Sequence, residues 1–200
     1  SMGGGASFLA AENNLNITTL INFAAAETSP SAILAAPNIT IPSLIFSADD
    51  DCVSPPISNQ NIMFSNLNSS CKTQINIISG GHCYFANENV LCSFGESSCN
   101  PNLNISRAEQ QGVTNDFLKI WLNFSLKSDQ NSFTIFNDSL QSSNRITYSQ
   151  FCNSTAIDEK SFDKQLIRII DIYGRETKQT NQPLFYIYDD GTVEKRIVIE

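Results

Sequence analysis

Two hundred residues, 41% of them hydrophobic, can bury a core, so the chain fits one ordinary domain or a domain plus a small module. A formal net charge of -8 argues against nucleic acid and anionic membrane as partners, because both need clustered Lys and Arg. No apolar run approaches the roughly 20 residues of a membrane span, and six cysteines with no Cys-x-x-Cys pair and a single histidine suit disulfides in an oxidising compartment better than a metal site.

The chain opens SMGGGASFLAAENN. A helix is expected over residues 2–12 despite the glycines. TTLINFA (18–24) and PSLIFSA (42–48) read as buried strands, residues 57–69 as helical, and KTQINIIS (72–79) as a third strand. Strands separated by helix-length stretches imply βαβ units and a mostly parallel sheet. Residues 107–127 carry the strongest helix signal. Ser106 and Glu109 form the S-x-x-E capping pattern, and Val113, Phe117, Ile120, Trp121 and Phe124 lie on one helical stripe. Trp121 on that stripe is read as core packing against the sheet. Residues 128–156 are rich in Ser and Asn and give no clear period.

Charge density changes near residue 157. Residues 1–156 hold 11 acidic and 5 basic side chains and residues 157–200 hold 9 and 7, so half of the charges lie in the last 44 residues. The expected organisation is therefore a domain over 1–156 and a β-rich module over 157–200. In the module, residues 163–174 suggest a strand ending at Gly174. LFYIY (184–188), DDG (189–191) and 192–200 suggest a hairpin, since Asp-Gly adopts the left-handed backbone of tight turns.

Chemistry enters at three strand ends. Parallel sheets gather functional groups at the carboxyl ends of their strands. Asp49–Asp51 follow the second strand, and Gly-Gly-His82, with the only histidine, follows the third. Ser1-Met2-Gly3-Gly4 has the small residues that a serine on a sharp strand-to-helix turn requires. It also reads as a cleavage scar ahead of a start methionine. Ser, Asp and His in this order can make a triad in which the imidazole removes the hydroxyl proton and the carboxylate orients it. One member of the acidic run serves as the carboxylate.

SMGGGAS, SLIFSADDDCVSPP and GGHCYFAN resemble the motifs of the dienelactone-hydrolase and cutinase-like branch of the α/β-hydrolases, which includes bacterial polyester (PET) hydrolases and chlorophyllase-like proteins. The resemblance covers roughly residues 1–127, with weaker similarity through 146–152. It implies Ser1 as nucleophile, His82 as base, Asp51 as the carboxylate because it directly precedes Cys-Val-x-Pro, and the Met2 amide as an oxyanion donor. Tyr84 and Phe85 are candidate apolar walls for substrate, or else loop anchors. Polyester-degrading relatives carry an aromatic residue in the loop that here reads AAAETSP, which sets ester hydrolysis in general apart from polyester hydrolysis. The fold implied is α/β, the C-terminal half of a hydrolase sheet with flanking helices, cut at its nucleophile. Such a piece is expected to have little esterase activity by itself and to expose a sheet edge.

Fifteen pairings of the six cysteines are open. Cys92 and Cys99 can close a local loop. If Asp51 and His82 meet, Cys52 and Cys83 lie on adjacent strand ends and can bond, with Cys71 too distant to join them. The final residues, from Asp171-Ile172-Tyr173-Gly174-Arg175 to the C-terminus, resemble the sorting module of type IX secretion substrates of Gram-negative bacteria. That implies export by a secretion machinery and a secreted or cell-surface location. The expected function is a secreted carboxylic ester hydrolase acting on small-molecule or polymeric esters, with no metal or organic cofactor. A non-catalytic secreted binding or surface protein with a hydrolase-like fold, and a peptidase or amidase using the same triad, are the alternatives.

Overall fold

The computed structural model describes residues 1–99, 103–152, 166–177, 182–189, 191 and 193–197. By its internal contacts the chain divides into two compact units, Ser1–Asn153 and Ser154–Glu200.

The first unit is a three-layer α/β sandwich. Its sheet has the order β1 (Leu20–Phe23), β2 (Ser43–Ala48), β3 (Cys71–Ile77), β4 (Ile146–Cys152). The first three strands are parallel and β4 is antiparallel to β3. All six residues of β2 are buried, as a central parallel strand covered on both faces must be. Its side chains divide by parity. Ile45 joins Phe8, Ala11, Leu20, Ile39, Met63 and Leu67 under α1 (Met2–Ala11), α2 (Ala32–Ala35) and α3 (Gln60–Asn66). Leu44 and Phe46 join Ile75, Ile77, Val113, Phe117, Trp121 and Phe136 under α5 (Arg107–Lys127) and α6 (Gln130–Ser142). A shorter helix, α4 (Val90–Ser97), lies in the connection after β3.

Helix α5 begins where its cap dictates, with Ser106 Oγ accepting from Glu109 N. It ends at Ser128, which turns into the left-handed region at φ 55. Trp121 is fully buried, and its indole N–H donates to Thr19 Oγ1 at 3.0 Å. Residues without an evident period in sequence form α6 and β4. The Asp129 side chain caps α6, and Phe133, Phe136 and Leu140 line the face it turns to the core. These apolar residues are diluted by serines and asparagines, which hid the period.

The second unit contains the antiparallel sheet β5 (Leu166–Ile170), β6 (Pro183–Tyr188), β7 (Val193–Ile197), in chain order. The expected hairpin forms, with Gly191 at φ 80 and its N–H donating to Tyr188 O at 3.1 Å. The strand expected to reach Gly174 stops at Ile170. There Asp171 turns the chain, its carboxylate accepting from Tyr173 N and Arg175 N. Residues 163–165 of that expected strand, 190 and 192 of the hairpin and 198–200 of its last strand lie outside the described residues.

The disulfides are Cys52–Cys99, Cys71–Cys152 and Cys83–Cys92. Neither Cys52–Cys83 nor Cys92–Cys99 forms. The reason is α4: Cys92 on its first turn returns to Cys83, and Cys99 just past its end reaches Cys52. Each cysteine beside a strand-end loop is bonded to the helix segment and not to the other loop. Cys71 pairs with Cys152, its register partner on β4.

Candidate active site

Strands β2 and β3 are parallel, so the loops that follow them leave the sheet on the same side. Backbone bonds stitch these loops together: Asp49 N donates to Ile77 O at 3.2 Å and Asp50 N to Gly80 O at 3.0 Å. Beyond this seam the Asp51 carboxylate turns inward and is buried. Its Oδ1 accepts from Val53 N at 2.9 Å and Ser54 N at 2.7 Å. Its Oδ2 lies 2.8 Å from His82 Nδ1. The contact joins two side chains that are 7% and 0% exposed. Three donors on one buried carboxylate satisfy a charge that would otherwise be costly to desolvate.

That contact fixes the imidazole. A carboxylate only accepts hydrogen bonds, so the contact makes His82 Nδ1 the donor and leaves Nε2 as the ring nitrogen not bonded to Asp51. Asp49 sits in a different environment. Burial, and then the neighbouring Asp50 charge, push its carboxyl up from the ordinary value, against the pull of backbone N–H groups.

Ser1 is the N-cap of α1, yet its side chain makes no capping bond. A relay of hydrogen bonds connects it to the acidic loop. Ala26 N donates to Ser1 O at 3.0 Å, Ser54 Oγ donates to Ala25 O at 3.1 Å, and Ser54 N is one of the two donors to Asp51 Oδ1. The glycines let α1 press against the 24–28 loop. A Cβ on Gly4 would sit 2.7 Å from Ala25 Cα, and one on Gly5 would collide with Ala26 O and Thr28. Met2 is the first helical residue, so its backbone N–H has no intrahelical acceptor, while its side chain is exposed.

Tyr84 and Phe85 follow His82 in a short 3-10 turn, Cys83–Phe85. The Arg107 guanidinium covers the Tyr84 ring at 4.6 Å. Phe85 packs on Phe23 at 5.9 Å, and Phe23 in turn stacks on Phe46. Both rings thus have partners that anchor the turn. Three residues of the site neighbourhood carry no motif in the sequence: Ser54, Glu96 and Gln110. Ser54 alone had a readable signal, lying three residues after an Asp as in a turn closed by a side-chain carboxylate. Among the described residues no group of three or more His, Cys, Asp or Glu is arranged to hold a metal ion. No helix among them is long and apolar enough to cross a membrane.

Residues 1–97 match the family model described as PETase: PET hydrolase-like. The matched segment contains Ser1, Asp51 and His82, and ends inside the region of α4. To this extent the chain is similar to polyester hydrolases of the α/β-hydrolase kind. No curated protein matches the chain.

Proposed function

We propose that this protein is a serine hydrolase that cleaves carboxylic esters through an acyl-enzyme. The observation that carries the reading is the buried Asp51–His82 contact of 2.8 Å at the common end of two parallel strands, in a segment similar to PET hydrolase-like proteins. In this reading Ser1 Oγ attacks the ester carbonyl while His82 Nε2 takes the hydroxyl proton. Asp51 stabilises the imidazolium that forms. The Met2 N–H, at the start of α1, donates to the oxyanion, a contribution of about 10²–10³ in rate for such a donor. Collapse breaks the bond to the alcohol oxygen, and His82 returns the proton to the leaving alkoxide. Water, deprotonated by the same imidazole, then releases the acid and regenerates Ser1.

The substrate class is an ester with apolar flanks. Val90, Leu91 and Phe94 expose apolar surface on α4, which the Cys83–Cys92 bond ties to the residue after His82. The three disulfides fit an oxidising, extracellular location. Export directed by residues 157–200 belongs to the same reading. Its check is a truncation at residue 156, expected to keep catalysis and lose secretion.

The test is labelling of the complete protein with a fluorophosphonate, with Ser1→Ala as control. Labelling that disappears in the variant supports the reading. Unchanged labelling removes Ser1 from the mechanism, and no labelling of either protein favours a non-catalytic binding protein. Parallel p-nitrophenyl ester and peptide substrates separate an esterase from a peptidase.

A further inference from the structure

His82 is gripped on both sides by side chains that bond to the backbone of its two neighbours. On the near side Gly81 is held by Gln110, from α5. Gly81 N donates to Gln110 Oε1 at 3.0 Å, and Gln110 Nε2 donates back to Gly81 O at 2.8 Å. On the far side Cys83 N donates to Glu96 Oε1 at 3.2 Å, and Arg107 donates to Cys83 O. The two residues that flank His82 thus have all four of their backbone polar atoms bonded to side chains of α4 and α5. Gln110 is fully buried and Glu96 nearly so. The double glycine makes this approach possible. A Cβ on Gly80 would lie 3.1 Å from Gln110 Oε1, and one on Gly81 would collide with Glu96.

A primary amide paired to both the N–H and the C=O of one residue fixes that peptide in two directions at once. The cost of the arrangement points the same way. A fully buried amide is tolerated only when its bonds are made, and here both go to the residue before the histidine. We infer that Gln110, backed by Glu96 and Arg107, is a positioning residue that sets the His82 imidazole against Asp51. The inference rests on the reading of His82 as the general base. A histidine displaced by about 1 Å from its productive geometry loses on the order of 10²-fold in rate.

¹⁵N-histidine labelling, with the His82 signal assigned by its loss in His82→Ala, reports the bond to Asp51 through the Nδ1–H. Gln110→Met keeps the volume and removes both bonds. Gln110→Glu keeps the acceptor for Gly81 N and removes only the donor, and can be read if the methionine variant does not fold. Gln110→Met is expected to lower kcat on a soluble ester 10- to 100-fold, about the scale of a misplaced base, with KM within twofold and a displaced or broadened Nδ1–H signal. Gln110→Glu is expected to fall between it and the parent. Phe136→Leu, a core change of α6, is the control. It lowers Tm and leaves both the signal and kcat as they were at temperatures where the protein is folded. Parental kcat in both Gln110 variants overturns the inference, and so does a loss of kcat with the imidazole signal unmoved. If His82→Ala keeps full activity, the base assignment itself fails. An inactive His82→Ala beside silent Gln110 variants sinks the positioning role alone.

Discussion

The two units of this chain hold their shapes by different means. In Ser1–Asn153 the groups that meet are far apart in sequence: Asp51 with His82, Gln110 with Gly81, and Trp121 with Thr19 across 102 residues. All six cysteines fall in this unit and all are bonded. In the second unit the strands pair in chain order, and Asp171 finds its partners at Tyr173 and Arg175. Long-range closure carries an entropic cost that grows with loop length, and the disulfides of the first unit remove part of it from the unfolded state. Positioning an acid–base pair from separate strands requires such closure. Forming a small antiparallel sheet does not.

Asp51→Asn sharpens this contrast most. Asparagine can still accept from Val53 N and Ser54 N but cannot accept from His82 Nδ1 as a carboxylate does. The expected loss of kcat on a soluble ester is about 10⁴-fold with the fold retained. Removal of residues 157–200 is expected to leave kcat within about twofold, since Asp51 and His82 find their hydrogen-bond partners within the first unit.

The disulfides divide by loop length and by place. Cys71–Cys152 spans 81 residues and Cys83–Cys92 spans 9. On the chain-entropy estimate the first contributes about 4–5 kcal/mol and the second about 2–3 kcal/mol. Denaturant titration of the paired Cys→Ser variants should return that order. The kcat values of the folded proteins should return the opposite one, because only Cys83 adjoins His82.

Trp121→Phe breaks one long-range contact without changing the pattern of the core. Losing the bond to Thr19 and part of the ring should cost about 1–3 kcal/mol, read by the same titration. Gly191→Ala strains a backbone at φ 80 and should cost about 1–2 kcal/mol. That loss is confined to the second unit and is silent in the esterase assay. The smallest effect belongs to Asp49. Burial, then Asp50, raises its pKa in the folded state. A group raised in this way favours folding while protonated, and loses that contribution as pH rises through the folded value. Asp49→Asn should therefore match the parent in Tm near about pH 3 and melt slightly higher near about pH 8. A lower Tm for the variant at the higher pH would contradict the assignment.

Much of this architecture was legible in the sequence, for local reasons. The apolar runs of β1, β2 and β3 and the capped, striped α5 carry their signals within a few residues, and the structure follows them closely. That the acidic run and His82 lie at neighbouring strand ends could be read from a general property of parallel strands, whereas the choice of Asp51 within the run rests on the family resemblance. What could not be read depends on partners outside the local window. The disulfide pairs turn on where α4 lies, and nothing near Cys52 or Cys83 announces that helix. Gln110 bonds to backbone atoms, which every residue possesses, so its target leaves no mark in the sequence 29 residues upstream. The end of β5 was misplaced because Gly174 marks the left-handed turn residue, while the strand had already ended at Asp171.

The contact between α1 and the 24–28 loop has a consequence for engineering. A Cβ on Gly4 would meet Ala25, and one on Gly5 would meet the Ala26 carbonyl and Thr28, so neither glycine has spare volume beside it. Gly4 and Ala25 therefore behave as one variable in any mutagenesis library. An aromatic clamp grafted at residue 25 would lift the start of the helix, and with it Ser1, out of place. Glu27, two residues further on, is exposed.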